Sequence, residues 1–140
     1  MTQQYPACRL DSPASNDTPL VVIAEDNAEL RGLLAVALER DGFRVAQAAT
    51  GERLVALVEE LIRAGEVLRL VVTDVRMPIV GGLGAARALH QAGHRVPLIL
   101  MTAFSDAWTR ARAAELGAVL LDKPLTLDTL RRAVRRAVGG

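Results

Sequence analysis

The chain is poor in the features that mark secreted and membrane proteins. It has one cysteine among 140 residues, so no disulfide can close within it. That residue, Cys8, stands in a polar stretch with no metal-ligand companions nearby. A reduced, cytoplasmic setting is the expectation. No apolar run nears the roughly 18 residues needed to span a bilayer. No basic cluster followed by an apolar run opens the chain, so no signal peptide is read. Lys and Arg (17) nearly balance Asp and Glu (16), and the formal net charge is +1. No field of one sign therefore invites nucleic acid or a membrane surface. Aromatics make up only 3%, while Ala, Val and Leu dominate an apolar half. That mixture suits helices and buried strands.

The organisation comes from periodicity. Residues 1–18 read as a disordered tail or linker, with prolines among Ser, Asn, Asp and Thr and no repeat of apolar positions. Residues 19–139 read as one domain, a length that can bury one core but not two. Leu20–Ala24 is a short, β-branched apolar run and predicts a buried strand. Leu30, Leu34 and Leu38 then mark a helix, with Asn27 as its cap and Gly42 as its stop. Phe43–Ala48 alternates weakly, as an edge strand does. Leu54, Leu57, Val58 and Leu61 mark a second helix. Leu70–Thr73 and Val96–Met101 are strands, separated by a loop at Met77-Pro78 and Gly81-Gly82 and an Ala-rich helix. A helix from about Asp106 to Leu116, a strand Ala118–Leu121 and an amphipathic helix through Leu127, Leu130, Val134 and Val138 complete the pattern. Five strand–helix alternations predict an α/β fold, a doubly wound five-stranded parallel sheet with helices on both faces. The three most apolar strands belong at its centre.

Reactive side chains collect where these strands stop. Glu25-Asp26 ends the first, Asp74 the third, Thr102 the fourth and Lys123 the fifth. In a parallel sheet those ends share one edge, where ligand sites of open α/β folds form. Crowded carboxylates repel each other, and a hard divalent cation such as Mg²⁺ would relieve the repulsion. A carboxylate can attack phosphorus, while a metal, a lysine and a hydroxyl balance the transferred charge. Taken singly, each residue is more often a cap, a turn or a solvated side chain. Four such groups in this order at strand ends argue for a site.

These segments resemble the response-regulator receiver domain over roughly residues 19–139. Val22-Ile23-Ala24-Glu25-Asp26-Asn27 is similar to its acidic opening turn. Val72-Thr73-Asp74-Val75-Arg76-Met77-Pro78 is similar to its phosphoacceptor strand and loop. Leu100-Met101-Thr102-Ala103 is similar to its switch strand, and Asp122-Lys123-Pro124-Leu125 to its lysine-proline turn. The resemblance implies a flavodoxin-like (βα)5 fold and a phosphorylation switch that is not an enzyme beyond catalysing its own phosphorylation and dephosphorylation. It implies that Asp74 accepts phosphate from a histidine kinase or phosphotransfer protein. It implies Mg²⁺ held by Glu25, Asp26, Asp74 and the Arg76 backbone carbonyl. Lys123 and Thr102 would contact phosphoryl oxygens, Ala103 would leave access to them, and Lys123–Pro124 would be cis.

Three positions depart from the family pattern. Leu120 stands where an aromatic switch residue is usual, which predicts a muted response there and a larger one around Phe104 and the helix near Asp106. Gly81-Gly82 replaces Asp-Gly, which is expected to loosen the loop. Glu25 replaces a common Asp. His90, His94 and the arginines at 131, 132, 135 and 136 read as surface residues, Met77 and Trp108 as packing residues, and Phe104 as a loop anchor or an overhang above the site. The chain closes at Gly140 directly after the last helix, so the expectation is a single-domain regulator or an excised receiver of a hybrid kinase. It would signal to a downstream protein partner, with no direct nucleic-acid or membrane contact and with homodimerisation open to it. The alternatives are a pseudo-receiver interaction module that is never phosphorylated and, far behind, a small nucleotide- or flavin-binding protein, which would need a Gly-rich loop where the acids stand.

Overall fold

A computed structural model of the chain describes residues 18–77 and 79–139. The tail read over residues 1–18, Cys8 and Pro78 therefore lie outside the described residues, except Thr18, whose carbonyl accepts from Arg44 Nε at 3.4 Å. The elements alternate as β1 (Leu20–Ala24), α1 (Ala28–Arg40), β2 (Arg44–Ala48), α2 (Gly51–Arg63), β3 (Leu68–Asp74), α3 (Gly82–Gln91), β4 (Leu98–Thr102), α4 (Ala107–Glu115), β5 (Val119–Asp122) and α5 (Leu127–Gly139). All strand pairs are parallel, in the order β2-β1-β3-β4-β5. The apolar strands β1, β3 and β4 are central, and the weakly alternating β2 is an edge, as the patterning predicts.

Side chains of the central strands point alternately to two cores. Val21, Ile23, Leu70, Val72, Ile99 and Met101 pack beneath α1 and α5 through Leu34, Leu38, Leu130 and Val134. Val22, Ala24, Val71 and Leu98 pack on the opposite face with Leu54 and Val58 of α2 and Ala85, Ala86 and Leu89 of α3. A smaller cluster joins Leu83, Leu100 and Ala113, with Leu120 packed against it. Met77 is a packing residue, as read. Among the described residues no helix is long and apolar enough to cross a membrane.

Helix starts follow local chemistry. Asn27 Oδ1 accepts from Leu30 N at 2.9 Å, Thr50 Oγ1 from Arg53 N at 3.0 Å and Asp106 Oδ1 from Thr109 N at 2.8 Å. Each such cap stabilises its helix by about 1 kcal/mol. Gly42, at φ 96°, turns the chain out of α1.

Two sequence readings change here. Trp108 does not pack: it is 57% exposed on α4, with the Arg112 guanidinium 5.5 Å from its ring centre. The α5 arginines are not uniformly solvated either. Arg131 grips Asp41 with Nε at 2.8 Å and Nη2 at 2.7 Å, and Arg135 Nη1 adds a contact at 3.3 Å. The fork geometry of guanidinium suits that two-point grip. It ties the end of α1 to α5, the two helices that cover one face of the sheet. Periodicity could place these arginines on the outer face of α5, but not the acid that closes over them from another helix.

The Arg131 hydrogen bond holds the Asp41 carboxyl below the ordinary value of 3.8 against the opposing effect of burial. A carboxyl depressed by folding stabilises the native state above its unfolded pKa, and that contribution fades as pH falls through the folded one. Asp41→Asn should therefore be less stable than the parent near neutrality. The gap should close as pH falls below about 4, the unfolded carboxylate range. Urea unfolding of both proteins across that range measures it, and a gap that persists at low pH would contradict the assignment.

Candidate functional site

The strand registers bring the reactive residues to one edge. Ala24 lies opposite Thr73, Asp74 opposite Met101, and Thr102 opposite Asp122. Glu25 and Asp74 are buried, at 2% and 8% exposure, whereas Asp26 is exposed. One carboxylate oxygen from each of these three residues can be chosen so that all lie within 4.8 Å of one another. Lys123 reaches across from the end of β5, with Nζ at 2.7 Å from Asp74 Oδ2 and 3.5 Å from Glu25 Oε1. The Lys123–Pro124 peptide is cis.

Electrostatics follows from this crowding. Burial pushes the Glu25 carboxyl upward. The Asn27 N–H pulls it back, the Asp74 charge adds to the rise, and Lys123 opposes it. Burial disfavours the charge on Lys123, but the hydrogen bond and charge of Asp74, with Glu25 behind them, outweigh it and hold the ammonium above its ordinary value. With all three acids ionised, one ammonium leaves two negative charges uncompensated. A hard cation with oxygen ligands fits that deficit, and the cleft of about 480 Å³ bounded by Asp26, Val75, Arg76, Met77 and Gly81 gives it access. The donor set and its charge therefore suit Mg²⁺.

The other predicted residues fall around this centre in different ways. The Arg76 N–H donates to Asp74 Oδ1 at 3.1 Å, so each oxygen of the Asp74 carboxylate has its own donor. The Thr102 hydroxyl is not joined to the acids. It donates to the Phe104 carbonyl and accepts from the Phe104 N–H, both at 3.1 Å, in a tight local turn. Ala103 and Phe104 beyond it are exposed, Phe104 by 62%, so Phe104 does not anchor its loop in the core. Leu120 is half-buried and pairs with Leu100 in the sheet, filling space without a polar group. His94 lies 3.8 Å from Glu59, away from the acids.

The glycine pair corrects the expectation of a loose loop. A Cβ on Gly82 would lie 1.9 Å from the Asp74 carbonyl oxygen and 2.4 Å from Thr73 Oγ1, and one on Gly81 would lie 2.5 Å from the Val75 carbonyl. The Gly82 N–H donates to that Val75 carbonyl at 3.0 Å. Close approach, not slackness, is what these glycines provide: they seat the start of α3 against the end of β3. The loop turns at Ile79, whose φ of 68° is rare for a β-branched residue and whose side chain is 93% exposed.

Sequence reading missed Arg31. Its Nη1 donates to the Glu25 carbonyl at 2.9 Å and its Nε to Gln47 Oε1 at 3.2 Å, so it braces the acidic turn against the end of β2. The available signal was a lone arginine inside the apolar stretch of α1, one turn past the acids.

Comparison with known proteins agrees with this geometry. The family described as response regulator receiver domain matches residues 21–135. The chain is 33% identical over 124 residues to the transcriptional regulatory protein TctD of Salmonella typhimurium, covering 85% of this chain and 53% of that protein. It is 35% identical over 98 residues to the transcriptional regulatory protein CpxR of Escherichia coli, covering 70% of this chain and 39% of that protein. The chain thus spans about half or less of these relatives' length. Among solved structures, the HemR receiver domain of Leptospira biflexa superimposes with a TM-score of 0.76 at 30% identity, over 88% of this chain and 96% of that one. The chemotaxis protein CheY4 of Vibrio cholerae gives 0.75 over 86% and 98%, and at 22% identity it shows the fold alone. An acidic cluster faced by a lysine at the carboxyl edge of a five-stranded parallel sheet, and a family match over most of the chain, lead to one assignment: this chain belongs to the response regulator receiver domains of two-component signalling.

Proposed function

We propose that residues 19–139 form a live phosphorylation switch in which Asp74 accepts a phosphoryl group from the phosphohistidine of a histidine kinase or phosphotransfer protein. The observation that carries this reading is the pairing of Asp74 Oδ2 with Lys123 Nζ at 2.7 Å inside the acidic cluster. An Asp74 carboxylate oxygen forms a bond to phosphorus as the P–N bond to imidazole breaks. The electron pair leaves on that nitrogen, which takes up a proton. Glu25, Asp26, Asp74 and the Arg76 carbonyl would hold Mg²⁺, which supplies positive charge against the phosphoryl oxygens. Lys123 then exchanges its carboxylate partner for a phosphoryl oxygen. The Thr102 hydroxyl leaves the Phe104 backbone for another, and the turn that it pins is released. The readout is a cytoplasmic protein partner that senses that turn and α4, by a local two-state rearrangement.

The acceptor assignment is tested by intact mass. Incubation with acetyl phosphate and Mg²⁺ should add one phosphate to the parent protein and none to Asp74→Asn. No gain in the parent would make the chain a pseudo-receiver, and an undiminished gain in the variant would move the acceptor elsewhere.

Metal binding is tested without any phosphodonor. Mg²⁺ binds only the folded site, so it should raise the thermal midpoint in a concentration-dependent way. Asp26→Ala should remove that rise and, in EDTA, should unfold at or above the parent midpoint, because one like charge is gone from the cluster. A variant that keeps the full Mg²⁺ response would refute the ligand set.

The path of the signal is read by amide shifts with and without beryllofluoride. The largest changes outside the acidic cluster should fall on Ala103–Asp106 and the start of α4, with small ones at Leu120. A still Phe104 turn beside large shifts at Leu120 and α5 would sink the proposed path.

A further inference from the structure

The α3–α4 side of the domain carries a cleft next to the acidic cluster, and the side chains of Arg76 and Arg87 that line it have no part in phosphoryl transfer. Among the described residues the aromatics are Phe43, Phe104 and Trp108, and only Phe43 is buried. Trp108 forms part of a cleft of about 320 Å³ between α3 and α4, lined also by Val75, Leu83 and Thr109. Arg76 and Arg87 line the same cleft. Both are exposed and neither lies within ion-pair distance of an acid among the described residues, although the Arg76 charge acts on Asp106. The one acid lining it, Asp106, is committed to the α4 cap, and the Thr109 N–H that it accepts holds its carboxyl below the ordinary value. The α5 arginines offer a contrast, since Asp41 already engages Arg131 and Arg135.

Tryptophan and arginine beside a cleft are the composition of interface anchors. Arg87, with no acid against it, and Arg76, facing only the capped Asp106, call for carboxylates, and the apolar wall calls for an apolar side chain between them. Nucleic acid fits less well. A net charge of +1 builds no extended basic track for a phosphate backbone. We propose that the α3–α4 cleft docks an acidic segment of a partner protein, with one apolar side chain against Trp108 and carboxylates on Arg76 and Arg87. This goes beyond the phosphoacceptor reading and does not depend on it, because the cleft is already formed without phosphate.

Trp108 is the only tryptophan, so its emission reports occupancy of the cleft directly. Short random peptides would be selected on the immobilised full chain without a phosphodonor, and the enriched ones synthesised and titrated. Enriched peptides should combine acidic residues with one large apolar residue and should shift Trp108 emission. Arg87→Glu lies on an exposed position and leaves the core intact. It should weaken those peptides at least about tenfold, as loss of an interface anchor does, and should bind versions carrying Lys in place of the acids better than the parent does. Enrichment without acidic residues, equal affinity for Arg87→Glu, or a single-stranded oligonucleotide that binds the cleft more tightly than any peptide would overturn the proposal.

Discussion

Three carboxylates crowd the edge of the sheet with one ammonium group in contact with two of them, and much of the structure serves to keep them there. Like charges at this separation repel, and Glu25 and Asp74 are buried as well. Lys123 relieves part of that cost through its contact with Asp74 at 2.7 Å, yet a net deficit of positive charge persists. The charge and oxygen donors of such a site suit a hard cation. Removing the lysine would leave buried acids without their partner, the situation that costs about 3–5 kcal/mol in a buried ion pair.

The scaffold meets that demand by rigid placement from several elements. The acids come from the ends of β1 and β3 and the lysine from the end of β5, so β4 lies between the Asp74 strand and the lysine strand. Arg31 and Gln47 brace the acidic turn from α1 and β2, and the Gly81-Gly82 approach fixes α3 against the end of β3. Behind them the two cores clamp the central strands from both faces. The Thr102–Phe104 turn is secured mainly by its own hydrogen bonds, with Phe104 and Ala103 outside the core. A segment with few packed contacts yields before the rest of the domain does.

The same turn and α4 border the exposed Trp108, Arg76 and Arg87, so a lightly anchored part of the edge adjoins a surface with unused binding chemistry. Leu120, packed against Leu83, Leu100 and Ala113, gives the adjoining strand an apolar filler with no polar handle. Leu120 offers no polar group to a phosphoryl-driven change, whereas the exposed β4–α4 turn is held by a hydroxyl that can move, and that contrast is the physical basis of the proposed signal path through α4.

Much of this was legible in the residues alone. Period-2 and period-3.6 patterning determined the strand and helix order, the central place of β1, β3 and β4, and the Asn27 cap of α1, because burial and capping are local demands that each segment must satisfy by itself. Parallel topology then placed Glu25, Asp26, Asp74, Thr102 and Lys123 on one edge. Relations between distant side chains were not legible. Asp41 closing on Arg131, Arg31 reaching the Glu25 carbonyl, Trp108 turned outward and the steric need for Gly82 each depend on where two remote segments meet. The amino-acid sequence by itself determined which groups stand at the strand ends. Only the tertiary structure decided which of them touch, since hydrogen bonds and ion pairs form over a few ångströms and a one-dimensional pattern carries no such distances.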